Sequence, residues 1–474
     1  MRNPCGRYPV ARAIVESFWL RHTMATALTP TAKQWLRSYY ADNFPVAAIA
    51  WLTTRLGDEL VLREWAIDAG DYYKRYVTAE DVEDFRAKLK SHPGLVALHA
   101  GPVWFKRVEK PGLNKDTRLQ SEAPHPHRRE LIFDIDLNDY DFLDLYVGLP
   151  NPSGLPRPLS LEKCDAAWPV AGIAAKLLTR ILRDQFGFGD FLCCYSGRRG
   201  VHLWVLDERA MALDNDSRSA IASFVDLQLS KCKQRASIGQ SHFAKAYHLM
   251  ETVHELFENE LVAQMGVLDM LSARDEFLTR LGLGTHDSMH NLADEVSRKD
   301  SGMAAWAYIK TKVCGHAKKH PKVCGWFCAR LDETVLAYVW PRIDLNVTKG
   351  TNHLIKSPFV AHPKTLRIAV PLRFDELMTF DPATAPTLGK EGWREALVAR
   401  GGFSGDSGGV GGNSGGDLAD WVWHLRSPPT EAPPAACHHD PMDVDVEDLV
   451  PDGRAPQRAY TPKTPRCDVY GVPL

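Results

Sequence analysis

Asp134 and Asp136 stand two positions apart inside the apolar run LIFDIDLN at 131–138. On a strand, Leu131, Phe133, Ile135 and Leu137 share one face, and Ile132, Asp134, Asp136 and Asn138 share the other. Two carboxylates side by side repel, and each needs a countercharge. A divalent cation such as Mg²⁺ or Mn²⁺ meets that need, because it takes carboxylate oxygens and keeps water positions open for a phosphate. Alone, D-x-D is a weak motif, and a solvated edge strand whose acids pair with Arg128 and Arg129 is the simpler reading. The segment PRIDLNV at 341–347 repeats the design. Read as a strand, it places Arg342, Asp344 and Asn346 on one face and Ile343, Leu345 and Val347 on the other. Beside the first pair, Asp344 would complete a three-carboxylate metal site suited to phosphoryl transfer. An edge acid paired with Arg342 fits the same letters.

Two other stretches carry the opposite charge. In YSGRRGVHLWV at 195–205, Gly197 and Gly200 permit a tight turn and close backbone approach to a ligand. Arg198 and Arg199 offer planar donor forks matched to phosphate oxygens, Ser196 adds a hydroxyl, and His202 points back toward a cleft. In KGTNHLIKSPFVAHPKT at 349–365, Lys349, His353, Lys356, His362 and Lys364 gather in one short stretch. Each stretch alone also reads as a polar tip or solvated basic loop. Acids that need a metal and basic loops that need an anion answer each other, and a metal-bound nucleoside triphosphate satisfies both.

The elements that position these residues follow from periodicity. TAKQWLRSYYADNF sets Trp35, Leu36, Tyr39 and Tyr40 at helical spacing with Thr31 as the expected cap. TAEDVEDFRAKLKSHPG predicts a second helix from a Thr cap, and LVALHAGPVWF predicts a strand. VAGIAAKLLTRILRDQFGFG is an amphipathic helix ending at Gly187. Residues 1–30 read as an extension, 31–207 as the first part of a mixed α/β core, and 208–335 as a mostly helical subdomain. Residues 336–390 return to the core, and 391–474 read as a Gly/Ser/Pro-rich disordered tail. The extension has Arg2, Arg7, Arg12 and Arg21 against Glu16; a floppy segment, with Met24 as an alternative start, is favoured over an organellar transit peptide.

Composition narrows the class. A net charge of −2 gives no global nucleic-acid signature, so any basic surface is local. Ten scattered cysteines point to reduced thiols rather than a disulfide framework. No apolar run of about 18 residues predicts a membrane span, so no membrane partner is expected.

The blocks ELIFDIDLNDYD, YSGRRGVHLWV and PRIDLNVTKGTNHLIKSPFVAHPKT, in that order, resemble the signature blocks of the catalytic small subunit of DNA primases. This is the archaeo-eukaryotic primase family, and the eukaryotic branch is the nearer match. The resemblance spans about residues 31–385. It implies an α/β (α+β) prim-fold core with a mixed sheet and a mostly helical subdomain, and the synthesis of RNA primers from ribonucleoside triphosphates on single-stranded DNA. By the same resemblance Asp134, Asp136 and Asp344 bind Mg²⁺ or Mn²⁺. Ser196, Arg198, Arg199, His202, Lys356 and His362 contact the triphosphate. REWAIDAGDYYKRYVTA resembles a further block that places Glu64 and Arg75 near the nucleotide. A large iron–sulphur primase subunit, the DNA polymerase α complex and a nuclear location are implied too. A primase–polymerase that prefers deoxynucleotides or acts in repair, and a non-catalytic nucleic-acid-binding scaffold, are the alternatives.

The chain departs from the family at two places. The family's four-cysteine zinc site is represented by Cys164 alone, near Trp168; one thiolate cannot close a tetrahedral site, so no zinc is expected there. Where the family has an acid near the ribose, this chain has LVALHA, with Ala97 around that position. Cys314, His316, His320, Cys324 and Cys328 could ligate zinc, but their spacing fits no standard finger, and Pro321 and Gly325 interrupt a single helix. A basic surface of Lys310, Lys312, Lys318, Lys319 and Lys322 facing template DNA is the expectation for that stretch.

Overall fold

The computed structural model describes residues 28–108, 125–143, 160–227, 246–284, 286, 289–319, 321–401 and 418–424. Two antiparallel sheets form the frame. The first runs β2 (Tyr73–Val77), β1 (Arg63–Asp68), β3 (Ala97–Trp104), β4 (Pro126–Arg128), with β8 (Ile355–Lys356) also on β3. The second runs β10 (Trp423–His424), β6 (Asp190–Tyr195), β7 (Gly200–Val205), β5 (Leu131–Asp136), with β9 (Pro371–Leu372) also on β6. Every residue of β7 is buried, as is all of β6 after Asp190, so these central strands are covered on both faces. On β5 the alternation is visible: Asp134 and Asp136 are the two partly exposed positions.

The main helices are α1 (Pro30–Ser38), α2 (Val82–Lys90), α3 (Leu161–Ala166), α4 (Trp168–Phe186) and α5 (Asn215–Val225), followed by α6 (Gly302–Lys319), α7 (Pro321–Val339), α8 (Leu345–Lys349) and α9 (Trp393–Val398). The fold class is the mixed α/β type expected, but in place of a mixed sheet every strand pairing among the described residues is antiparallel. α4 packs its apolar face on β5 and β7 and stops at Gly187, in the left-handed conformation with φ 66°. No described helix is long and apolar enough to cross a membrane.

Several local expectations need correction. α1 is capped by Thr29, whose Oγ1 accepts from Ala32 N, because Pro30 occupies the first helical position in place of Thr31. α2 is capped by Asp81, not by the threonine upstream, and Asp81 accepts from Asp84 N at 2.7 Å. Gly325 lies within α7, so only the Pro321 junction breaks the helical run. Lys310 and Lys312 are ion-paired with Glu258 and Glu295, which neutralises two of the five lysines expected to form a basic surface; the side chains of Lys318 and Lys322 lie outside the described residues. The stretch expected as tail begins with α9 and includes β10, which pairs with β6 through Trp423↔Phe191. The extension before residue 28 and the stretch after residue 424 lie outside the described residues.

Polar links tie the sheets together. Arg63 of β1 makes a fully buried bidentate pair with Glu130, just before β5, at 2.9 and 3.0 Å. Tyr39, beyond α1, donates to the carbonyl of Phe359 at 2.6 Å and so anchors the basic loop after β8.

Candidate active site

β5 and β7 place the first four residues. Their register sets Asp134 opposite His202 and Asp136 opposite Gly200, so the acids of one strand face the basic turn of the next. The chain's own packing requires the glycines. A Cβ on Gly200 would lie 1.9 Å from the carbonyl oxygen of Ile135, so only glycine lets β7 approach β5 here. Gly197 has φ +84°, and a Cβ there would come within 2.8 Å of the His362 Cβ. Thr365 Oγ1 donates to the Gly197 carbonyl at 2.7 Å. The two basic loops, distant in sequence, therefore interlock. Arg367 fixes their base through a bidentate pair with Asp165 of α3 at 2.7 and 2.8 Å.

Asp344 reaches the site by a route the strand reading missed. Residues 345–349 are helical, and Asp344 is the cap, its carboxylate accepting from Asn346 N at 2.9 Å. The backbone N–H of Asp344 donates to the carbonyl of Asp134 at 3.0 Å, which brings the third acid beside the first two. Arg342 does not pair with Asp344; it is buried and bound to Asp141 at 2.9 Å. Nor do Arg128 and Arg129 neutralise the strand acids: Arg128 meets Asp58 and Glu208, and Arg129 donates to the carbonyls of Val347 and Gly350.

The electrostatics follow from that crowding. Burial first, then the neighbouring Asp136 and Asp344, push the Asp134 carboxyl up to about 7. Burial and Asp136 raise Asp139 to about 6, which adds a fourth acid that sequence reasoning missed. The chain leaves the strand at Leu137, so the period of two no longer locates Asp139. Arg199 meets Asp136 at 2.9 Å and, among the described residues, is the one cation paired directly with either acid. Asp136 and Asp344 each spend one oxygen capping the residue two ahead. Among the described residues no three His, Cys, Asp or Glu side chains converge tightly enough to enclose a metal ion as they stand. The donor chemistry nevertheless fits a hard divalent cation, since three adjoining carboxylates with one arginine remain under-compensated and Asp134 is held toward its neutral form.

Lys356 forms the opposite wall. β8 lies against β3 with Lys356 opposite His99, and Ser357 N donates to the Leu98 carbonyl at 3.0 Å. Burial lowers the Lys356 ammonium to about 8, with Asp134 and Asp68 acting against that fall and Arg198 and Arg199 adding to it. Burial also lowers Arg198. His202 falls to about 3 through burial and Lys356, and its Nε2 lies 3.6 Å from Asp134, beyond hydrogen-bond range. His362 falls well below the ordinary histidine value through burial and the surrounding cations. The Lys364 backbone N–H donates to His362 Nδ1 at 3.2 Å, so the neutral ring carries its proton on Nε2 and offers it as a donor. Ser196 Oγ accepts from Gly200 N at 3.1 Å and closes the turn. A cleft of about 380 Å³ on the Asp344 side is lined by Asp139, Asp226, Trp340, Arg342 and Asn346 among others. A larger depression of about 540 Å³, lined by Glu251, His254, Glu255 and Glu258, contains none of these groups.

Glu64 and Arg75 form a separate cluster on the first sheet. The buried Glu64 accepts from Arg75 Nε at 2.8 Å and from Trp104 Nε1 at 3.0 Å. Arg75 also donates to the Asn352 carbonyl at 3.2 Å, which connects this cluster to the loop before Lys356. Tyr76, beside it, has φ 61°, a conformation unusual for a bulky residue. Ala97 is buried opposite Asp68, whereas His99, on the same face of β3, stands beside Lys356. Alternation along LVALHA could have identified His99. Cys164 is buried on α3, with its thiol pushed up to about 11 by burial. Cys314 is exposed and Cys328 half-buried; the side chains of His320 and Cys324 lie outside the described residues.

Fold and site thus define a mixed α/β protein in which three aspartates face a wall of arginine, lysine and neutral histidine. Residues 133–374 match the family model described as DNA primase small subunit. The chain is similar to the DNA primase small subunits of Schizosaccharomyces pombe and Caenorhabditis elegans. It is 28% identical to the first over 368 residues, covering 74% of this chain and 75% of the relative. It is 30% identical to the second over 369 residues, covering 74% and 84%. An archaeal relative, the PriS small subunit of Pyrococcus horikoshii, is 38% identical over 202 residues, 40% of this chain and 47% of the relative. The chain belongs to the DNA primase small subunit family.

Proposed function

We propose that this chain is the catalytic subunit of a DNA primase, joining ribonucleoside triphosphates into short RNA primers on single-stranded DNA. The observation that supports this most directly is the confrontation of Asp134, Asp136 and Asp344 with Lys356, Arg198 and Arg199 on adjoining strand ends and loops. Asp134, Asp136 and Asp344 would hold Mg²⁺ or Mn²⁺, which supplies activation of the attacking hydroxyl and neutralisation of the pyrophosphate leaving group. Arg198 and Lys356 bind and orient the triphosphate, and His362 donates to it from Nε2. Arg199, bonded to Asp136 in the free protein, exchanges that carboxylate for phosphate when nucleotide enters. The 3′-hydroxyl of the growing RNA attacks the α-phosphorus, and the P–O bond to pyrophosphate breaks. Family membership supports a larger iron–sulphur subunit and the DNA polymerase α complex as partners, with the nucleus as the site of work.

Primer synthesis on single-stranded DNA tests the reading, with ribo- or deoxynucleotides, Mg²⁺ or Mn²⁺, and with or without the large subunit. Asp136→Asn is expected to lower ribonucleotide incorporation at least about a hundredfold while the thermal midpoint is kept. Full activity in that variant sinks the assignment.

A further inference from the structure

One exposed aromatic group lies outside the machinery above. Phe105, just past the end of β3, is 65% exposed, and among the described large hydrophobic side chains only Tyr247 is more so. Its ring stacks on His125 at 5.5 Å between centroids and 15° between planes, and meets His127 edge-on at 5.6 Å. The backbone fixes the stack, since Phe105 N donates to the His125 carbonyl at 3.2 Å and Trp104 pairs with Pro126 of the edge strand β4. Lys106 and Arg107 beside it are exposed, Arg107 with Glu80 as its partner. The same strand carries His99 opposite Lys356, six residues earlier, so the shelf lies about 20 Å along β3 from the proposed triphosphate site.

We propose that Phe105, His125 and His127 form a base-stacking platform for the single-stranded nucleic acid that serves this site; the proposal rests on the primase reading above. An aromatic ring left in water and already stacked on an imidazole offers a flat π-face at low ordering cost, which every base can use. Adjacent, exposed Lys106 supplies the phosphate attraction that such platforms combine with stacking. A protein-docking anchor would instead be a large side chain set within an apolar surround. Here the ring neighbours are two exposed histidines, and the residue that follows, Lys106, is an exposed cation.

Fluorescence anisotropy of a labelled oligo-dT with the full chain tests this. Phe105→Ala is expected to weaken oligonucleotide affinity at least about five-fold, with Phe105→Trp retaining it. Unchanged affinity in Phe105→Ala, or Phe105→Trp as weak as Phe105→Ala, overturns the platform. Triphosphate binding without template should be the same in all three proteins, and its loss in Phe105→Ala also counts against the proposal. If Asp136→Asn abolishes incorporation while Phe105→Ala binds oligonucleotide normally, the platform fails and the primase reading stands.

Discussion

Charge crowding at Asp134 has a consequence for stability as well as for chemistry. A carboxyl whose pKa is higher folded than unfolded binds more protons in the folded state, so stability falls as pH rises from the ordinary carboxylate range to about 7 and stays lower above it. Asparagine carries no such penalty. Asp134→Asn should therefore raise the thermal midpoint of the metal-free protein at pH 8, with the difference shrinking as pH falls toward 4. With the Asp134 side chain 32% exposed, solvent screening discounts the gain to on the order of 1 kcal/mol. Thermal scans in chelator across pH check this, and a lower midpoint than the parent at pH 8 would count against the raised carboxyl. The same substitution should abolish incorporation, so activity and stability move in opposite directions. Residue types and spacings revealed this pair in the sequence because strand alternation is a local rule. They did not reveal Asp139 or His99, whose proximity is set by a chain bend and by an inter-strand register.

At the scale of elements, β5, β7 and α4 were legible, because apolar periodicity and a left-handed glycine stop are written in contiguous residues. PRIDLNV was not, since an aspartate two before an asparagine suits a strand face and a helix cap equally. The difference matters because a short helix at the site needs support at its far end. Arg129 supplies it, donating to the carbonyls of Val347 at 3.1 Å and Gly350 at 2.6 Å across the C-terminal end of α8. Arg129 is itself buried, and its guanidinium is lowered to about 9 by burial and then by Arg218. Arg129→Met should leave those carbonyls without this donor, at about 1–3 kcal/mol each where no water replaces it. The expected result is a drop in kcat through misplacement of Asp344, with the KM for triphosphate changed little. Arg129→Lys should restore part of the rate. Equal loss of kcat in both variants, or a loss confined to KM, would contradict a positioning role acting through α8.

For the whole molecule, what the sequence hid are contacts between segments far apart in the chain. The Arg63–Glu130 pair, the Tyr39–Phe359 bond and the Gly197–His362 packing join elements 67, 320 and 165 positions apart, and no local pattern encodes them. The C-terminal boundary shows the same limit. A Gly-rich composition predicts a tail, yet Trp423 beyond it is 7% exposed, donates from Nε1 to the Leu372 carbonyl at 3.1 Å and packs edge-on against Phe374 at 5.0 Å. It pairs with β6, the strand that leads into the Ser196–Arg199 turn. Removing a buried tryptophan of this kind costs about 3–5 kcal/mol. Trp423→Ala should therefore lower the thermal midpoint by roughly 5–10 °C. Well below that midpoint, incorporation per folded molecule should be retained, because β6 keeps its pairing with β7 on the side facing the acids. An unchanged midpoint would mean that β10 is not part of the folded body.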